Sequence, residues 1–224
     1  MKSVEALRAL CEITAWQWGM VTTAQAAARG VTRLQLARLA DAGHLERLGH
    51  GIYRHAAVPS DRLDGLRAAW LSINPKQTAE QRIMNRSHDA VVSGAAAAYL
   101  LGLGDLVPEP YEFTVPNRRQ TQRGVLTFRV RRLLDGDVTL CEGLPVTTPE
   151  RTIASLIEGG LDLSLVADIL GDAEAIDRSH LAELLAPLAV RRGYRPGDGA
   201  AFHDELERLA QRSTDSLASS GQKG

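Results

Sequence analysis

The sequence predicts a helix-rich α+β protein, in which a winged helix-turn-helix precedes a mixed α/β domain. Three observations carry this reading. Apolar residues recur at three- and four-residue spacing near the N-terminus, as on one face of an amphipathic helix. Met20–His55 then follows the order helix, turn, helix, hairpin, and after Tyr111 the pattern switches to strand-like alternation. Aromatic residues are only 4% of the chain, so the cores must be built from aliphatic side chains and alanine, which suits helices.

Val4, Leu7, Leu10, Cys11 and Thr14 describe the predicted inner face of the first helix. Trp16 and Trp18 are expected to close its small core. Cys11 and Cys141 stand far apart and outside any metal-ligand spacing, so both read as buried thiols. The opening residues lack an uninterrupted apolar run and carry Glu5, Arg8 and Glu12, so they form neither a secretory signal nor a membrane span. A cytoplasmic location follows as an expectation.

Within the winged unit, Thr22 or Thr23 can cap a helix over Ala24–Arg29, and Gly30 ends it by taking a left-handed conformation cheaply. Thr32 caps the second helix, Gly43 closes it, and Leu45, Leu48, Ile52 and Tyr53 form a hairpin around Gly49-His50-Gly51. At about 100° per residue, Leu36, Leu39 and Ala40 point inward while Ala37, Arg38 and Asp41 point outward, with Arg33 at the border and Gln35 intermediate. Leu34 falls on the polar side, where it either touches the wing or meets a thymine methyl.

If this helix enters a DNA major groove, Thr32, Arg33, Gln35 and Arg38 are the candidate readers, because arginine recognises guanine edges and glutamine adenine. The wing adds His50 and Arg54. Net charge is −1 for the chain, but residues 1–60 hold seven Lys or Arg against four acids, a net +3 that leaves −4 for the remainder. A local cation excess on this motif is what phosphate contact requires. The same motif also serves as a protein-binding module.

A boundary is expected near residue 58, giving a winged domain over 1–58 and a second domain over 59–212. Helices are predicted over 62–73 and 90–103, the latter capped by Ser93. Strands are predicted over 111–115, 125–131 and 144–148. Arg118, Arg119, Arg123, Arg129, Arg131 and Arg132 cluster around the second, making a candidate second basic surface for nucleic acid or an acidic protein. Thr147-Thr148-Pro149 opens a helix to Ile157, proline costing no hydrogen bond in a first turn. Further helices are expected over 163–170, 179–188, with Pro187 kinking or shortening it, and 200–212. Residues 213–224 read as a disordered tail.

From about Val21 to Arg192 the chain resembles the AbiEi family of antitoxins. The matching pieces are GVTRLQLARLADAGHLERLGHGIYR, SGAAAAYLLGL, EFTVPNRR and TTPERTIASLI, in that order. The resemblance implies an antitoxin of a type IV toxin-antitoxin, abortive-infection system, counteracting a nucleotidyltransferase toxin directly or indirectly. It also implies that the N-terminal domain represses its own operon by binding inverted repeats, while the C-terminal domain serves neutralisation. Half-site binding needs a dimer or two molecules side by side.

No catalytic residue, cofactor or metal ligand is assigned: the chain has no phosphate loop, no Ser/His/Asp order and no cofactor lysine. One alternative is a general winged-helix regulator whose second domain dimerises or senses a ligand. Another is a nucleic-acid-processing enzyme using carboxylates among Asp105, Glu109, Glu112, Asp135, Asp137 and Glu142 to hold a metal.

Overall fold

Ala6, Leu10 and Ile13, at helical spacing, form the buried stripe of the first helix, α1 (Ser3–Thr14), in the computed structural model. The structure describes residues 3–121 and 123–221, with side chains described to residue 212. The stripe is rotated from the expected one. Val4 is 78% exposed and the Cys11 thiol is exposed rather than buried, because alanine at 6 lets the helix approach the turn-helix pair closely. Trp16 is 83% exposed, and Trp18 instead meets Trp70 edge to face, ring centroids 6.0 Å apart.

The winged architecture is present with one strand more than predicted. β1 (Met20–Thr22) precedes α2 (Thr23–Ala28) and α3 (Arg33–Asp41), and β2 (Leu45–Gly49) and β3 (Ile52–His55) form the wing. The sheet order is β1-β3-β2, antiparallel throughout, with Met20 opposite Arg54 and Leu45 opposite His55. Three buried residues are too few for the period to show, which is why β1 escapes a sequence reading. Gly30 turns the chain between the helices at φ +77. Leu10, Val21, Ala26, Leu36, Leu39, Leu45 and Tyr53 share one core.

The first compact unit runs over Met1–Ala90, well past residue 58. α4 (Asp64–Ile73) packs on all three strands of the wing sheet, and α5 (Ala79–Ile83) follows. Thr-x-x-Gln starts α2, α3 and α5 alike: in each, the threonine hydroxyl accepts from the N3 amide and the glutamine carbonyl accepts from the threonine amide. Gln25 has a second task. Its amide pairs with that of Gln17, both fully buried, and it donates to the Gln77 carbonyl at 2.7 Å, while Gln17 accepts from the Ala79 amide at 2.8 Å. Buried amides left unpaired are costly, so this network ties residues 77–79 to the turn-helix pair. The unit closes on Trp70, which donates to the Ala90 carbonyl at 2.8 Å and carries the Arg82 guanidinium 3.5 Å above its ring.

The second unit, Val91–Gly224, opens on β4 (Val91–Ser93) and α6 (Gly94–Leu101), where a single helix over 90–103 was expected. A short apolar run does not reveal its period, and Val91-Val92 lies fully buried in mid-sheet. β5 (Tyr111–Val115), β6 (Leu126–Val130), β7 (Val138–Cys141) and β8 (Leu144–Thr147) complete a sheet of order β6-β5-β4-β8-β7. β4 runs parallel to β8 and antiparallel to β5. α7 (Pro149–Glu158), α8 (Leu163–Asp172), α9 (Arg178–Ala189) and α10 (Gly199–Gly221) pack through Ile153, Val166, Ile169, Leu181, Leu185, Phe202 and Leu206. Pro187 falls in the last turn of α9. The backbone of α10 continues past 212 into the stretch expected to be a disordered tail, one added hydrogen bond per residue sustaining a helix once begun; residues 222–224 lie outside the described residues.

The threonines before α7 serve structure. Thr148 caps the helix, accepting from the Arg151 amide at 3.4 Å, and the hydroxyls of Thr147 and Thr152 are 2.7 Å apart. Arg151 is buried against Asp137, Nε to Oδ1 3.2 Å. Burial pulls the Arg151 pKa down, and the Asp137 carboxylate only partly offsets this. No helix among the described residues is long and apolar enough to cross a membrane.

Candidate nucleic-acid interface

α3 is fixed at its base by Leu36 and Leu39, both buried, so its opposite face must point outward. Arg33, Leu34, Ala37, Arg38 and Asp41 are all exposed there. Neither Arg33 nor Arg38 has an ion-pair partner among the described residues. Both guanidinium groups are therefore available for phosphates or guanine edges.

Thr32 and Gln35 need a correction. The Thr32 hydroxyl accepts from the Gln35 amide at 3.3 Å, and Gln35 Oε1 accepts from the Thr32 amide at 2.8 Å and the Thr32 hydroxyl at 3.0 Å. Both lone pairs of that oxygen are committed, so Gln35 lacks the free acceptor that a two-point contact with adenine demands. These residues position α3. The Thr-x-x-Gln spacing marks them as a capping box in the sequence itself.

Arg54 also leaves the interface. Only 4% exposed, it faces inward from β3 and is held between Glu46 of β2 and Asp64 of α4. Its charge is neutralised inside the fold. His50 does occupy the exposed turn between β2 and β3. Arg47 on β2, which was not singled out from the sequence, is exposed too, its Nε donating to the Gly49 carbonyl at 3.2 Å. The strand register shifts between Arg47 and Gly49, making Leu48 an extra residue that bends the wing tip. The glycines that follow it, Gly49 and Gly51, concealed this bulge from a simple alternation count.

Pairing concentrates the modest charge excess. Arg29 is neutralised by Glu12, and Arg54 by Glu46 and Asp64, whereas Arg33, Arg38 and Arg47 stay exposed on the second helix and the wing. Three exposed arginines thus remain on the second helix and the wing, alongside the exposed Asp41 of α3 and Arg8 of α1.

The arginines around β6 divide into two groups. Arg129 and Arg131 bind Glu158 of α7, at 3.2 Å and 2.6 Å, and Arg129 also approaches Glu112 of β5 at 3.4 Å. These two are half-buried members of a balanced ion network rather than a free basic face. Arg118, Arg119, Arg123 and Arg132 lie exposed in the segments flanking β6.

Two of the carboxylates considered for metal chemistry, Glu112 and Asp137, are likewise engaged elsewhere. Glu112 accepts from the Ser93 hydroxyl at 3.1 Å, and Asp137 faces Arg151. Among the described residues, His203, Asp204 and Glu207 of α10 form the one grouping with ligand-like spacing. Arg178 pairs with Glu207 there and already supplies the positive charge.

Residues 8–55 match the family model described as a transcriptional regulator, AbiEi antitoxin. No curated protein matches the sequence. Among solved structures, the chain is similar to the crystal structure of the RV2827C protein from Mycobacterium tuberculosis, with a TM-score of 0.56 and 18% identity, covering 96% of this chain and 81% of that one. At that identity the likeness is one of fold. Over residues 8–55, and so through its winged unit, the chain is similar to the AbiEi antitoxin transcriptional regulators.

Proposed function

We propose that the protein is the antitoxin and autoregulator of a type IV toxin-antitoxin operon, binding inverted repeats upstream of its own gene through α3 and the wing. The observation that carries the DNA-binding part is the exposure of Arg33 and Arg38 on the outer face of α3, beside a wing bearing Arg47 and His50. In this reading α3 lies in the major groove, the arginines take guanine edges, and the wing contacts phosphate. Two copies, side by side or dimerised, occupy the two half-sites.

The neutralising role belongs to the second unit, acting on a nucleotidyltransferase toxin by contact or indirectly. It is supported by the similarity of residues 8–55 to the AbiEi family model and by the SGAAAAYLLGL and TTPERTIASLI segments. An anisotropy titration of the full chain on a duplex from its upstream region tests the first role. Arg33→Ala and Arg38→Ala are each expected to weaken specific binding by about 10- to 100-fold, the range of a lost two-point guanine contact. Unchanged affinity in both variants refutes the assignment of α3. Co-expression with the neighbouring gene tests the second role: growth restored by the full chain, and not by residues 1–90 alone, is the expected outcome.

A further inference from the structure

With Thr32 and Gln35 consumed by capping, the outward face of α3 is not uniformly polar. Leu34 is 60% exposed and does not join the core of its unit. Ala37, three residues on, is exposed as well, and residues at that spacing are neighbours on a helix surface. Arg33 precedes this pair and Arg38 follows it, so two methyl-bearing side chains stand between two guanidinium groups. Asp41 is the last residue of α3, away from the N-terminal end that meets base edges in such units.

An exposed leucine on a surface meant for DNA has one apolar complement in the major groove, the C5-methyl of thymine. We infer that α3 reads half-sites in which a thymine methyl seats against Leu34 and Ala37, flanked by the guanines taken by Arg33 and Arg38. The inference rests on the DNA-binding reading above and adds a base identity to it. A contact of this kind disfavours cytosine and uracil at that step, because neither carries the methyl group.

The test uses the full chain and two duplexes of its upstream region, one natural and one with uracil replacing every thymine. Wild-type protein is expected to bind the uracil duplex about fourfold more weakly per thymine contacted, the equivalent of one buried methyl or methylene group. Leu34→Ala, which alters an exposed side chain, is expected to bind both duplexes nearly equally. Equal wild-type affinity for the two duplexes overturns the inference while leaving DNA binding intact. A thymine preference retained in Leu34→Ala overturns it too, since another group then supplies the contact. Binding of neither duplex above a scrambled control refutes the DNA-binding reading itself.

Discussion

Arg54 on the wing and Asp64 at the start of α4 are joined by a buried ion pair. The pair spans ten residues and crosses the position where a domain boundary reads most naturally in the sequence. It makes α4 a structural part of the winged unit, with Glu46 completing the pocket around the guanidinium.

Asp64→Asn therefore leaves a buried cation with only its more exposed partner, Glu46. Because that partner stays, the loss is expected to fall below the roughly 3–5 kcal/mol of a fully orphaned buried charge, at about 2 kcal/mol. Urea unfolding followed by circular dichroism measures it. Residues 1–90 are expected to unfold cooperatively as an isolated fragment, and residues 1–58 to lack a folded baseline.

Asp61 offers a dependence on pH. Burial by itself raises its carboxyl pKa, but the Leu63 amide and the Arg67 and Arg62 guanidinium groups outweigh this and hold it below the usual carboxylate value. A lowered folded-state pKa contributes stability above the unfolded value, near pH 4, and loses it as pH falls through the folded one. Since Asp61 is half exposed, Asp61→Asn is expected to cost only about 1 kcal/mol at pH 7. The gap between variant and wild type should close below about pH 4 in melts across pH. A gap that does not narrow as the pH falls below about 4 contradicts the charge-based account.

In the second unit, Asp137 is the counter-charge that makes a buried Arg151 tolerable. Asp137→Asn retains an acceptor for the Leu134 amide but removes the charge, so destabilisation of about 3 kcal/mol is expected. Combining it with Arg151→Met should recover most of that loss, because replacing both members of a buried pair is far less costly than orphaning one. Denaturant melts of the two variants decide between this and a reactive role for the pair, which predicts lost toxin neutralisation without lost stability.

Much of the winged unit is legible before any fold is known. Threonine caps, the turn at Gly30 and the inward spacing of Leu36 and Leu39 are local features whose physics acts within four residues. The same local logic marked Arg38 as outward and Arg33 as bordering that face, and it placed Leu34 on the polar side. Thr32 and Gln35 were legible too, since Thr-x-x-Gln recurs at three helix starts.

What the sequence by itself determined, then, is the order of the elements and the outward face of α3, because helix caps and helical period are short-range. Tertiary structure alone decided the fates of Arg54, Arg129 and Arg131. Their carboxylate partners lie on separate elements, Arg54 reaching Asp64 and the other two Glu158. An arginine looks the same in a sequence whether it faces water or a buried acid. Only the packing that brings a distant carboxylate to it determines whether its charge is spent inside the fold or left for a ligand.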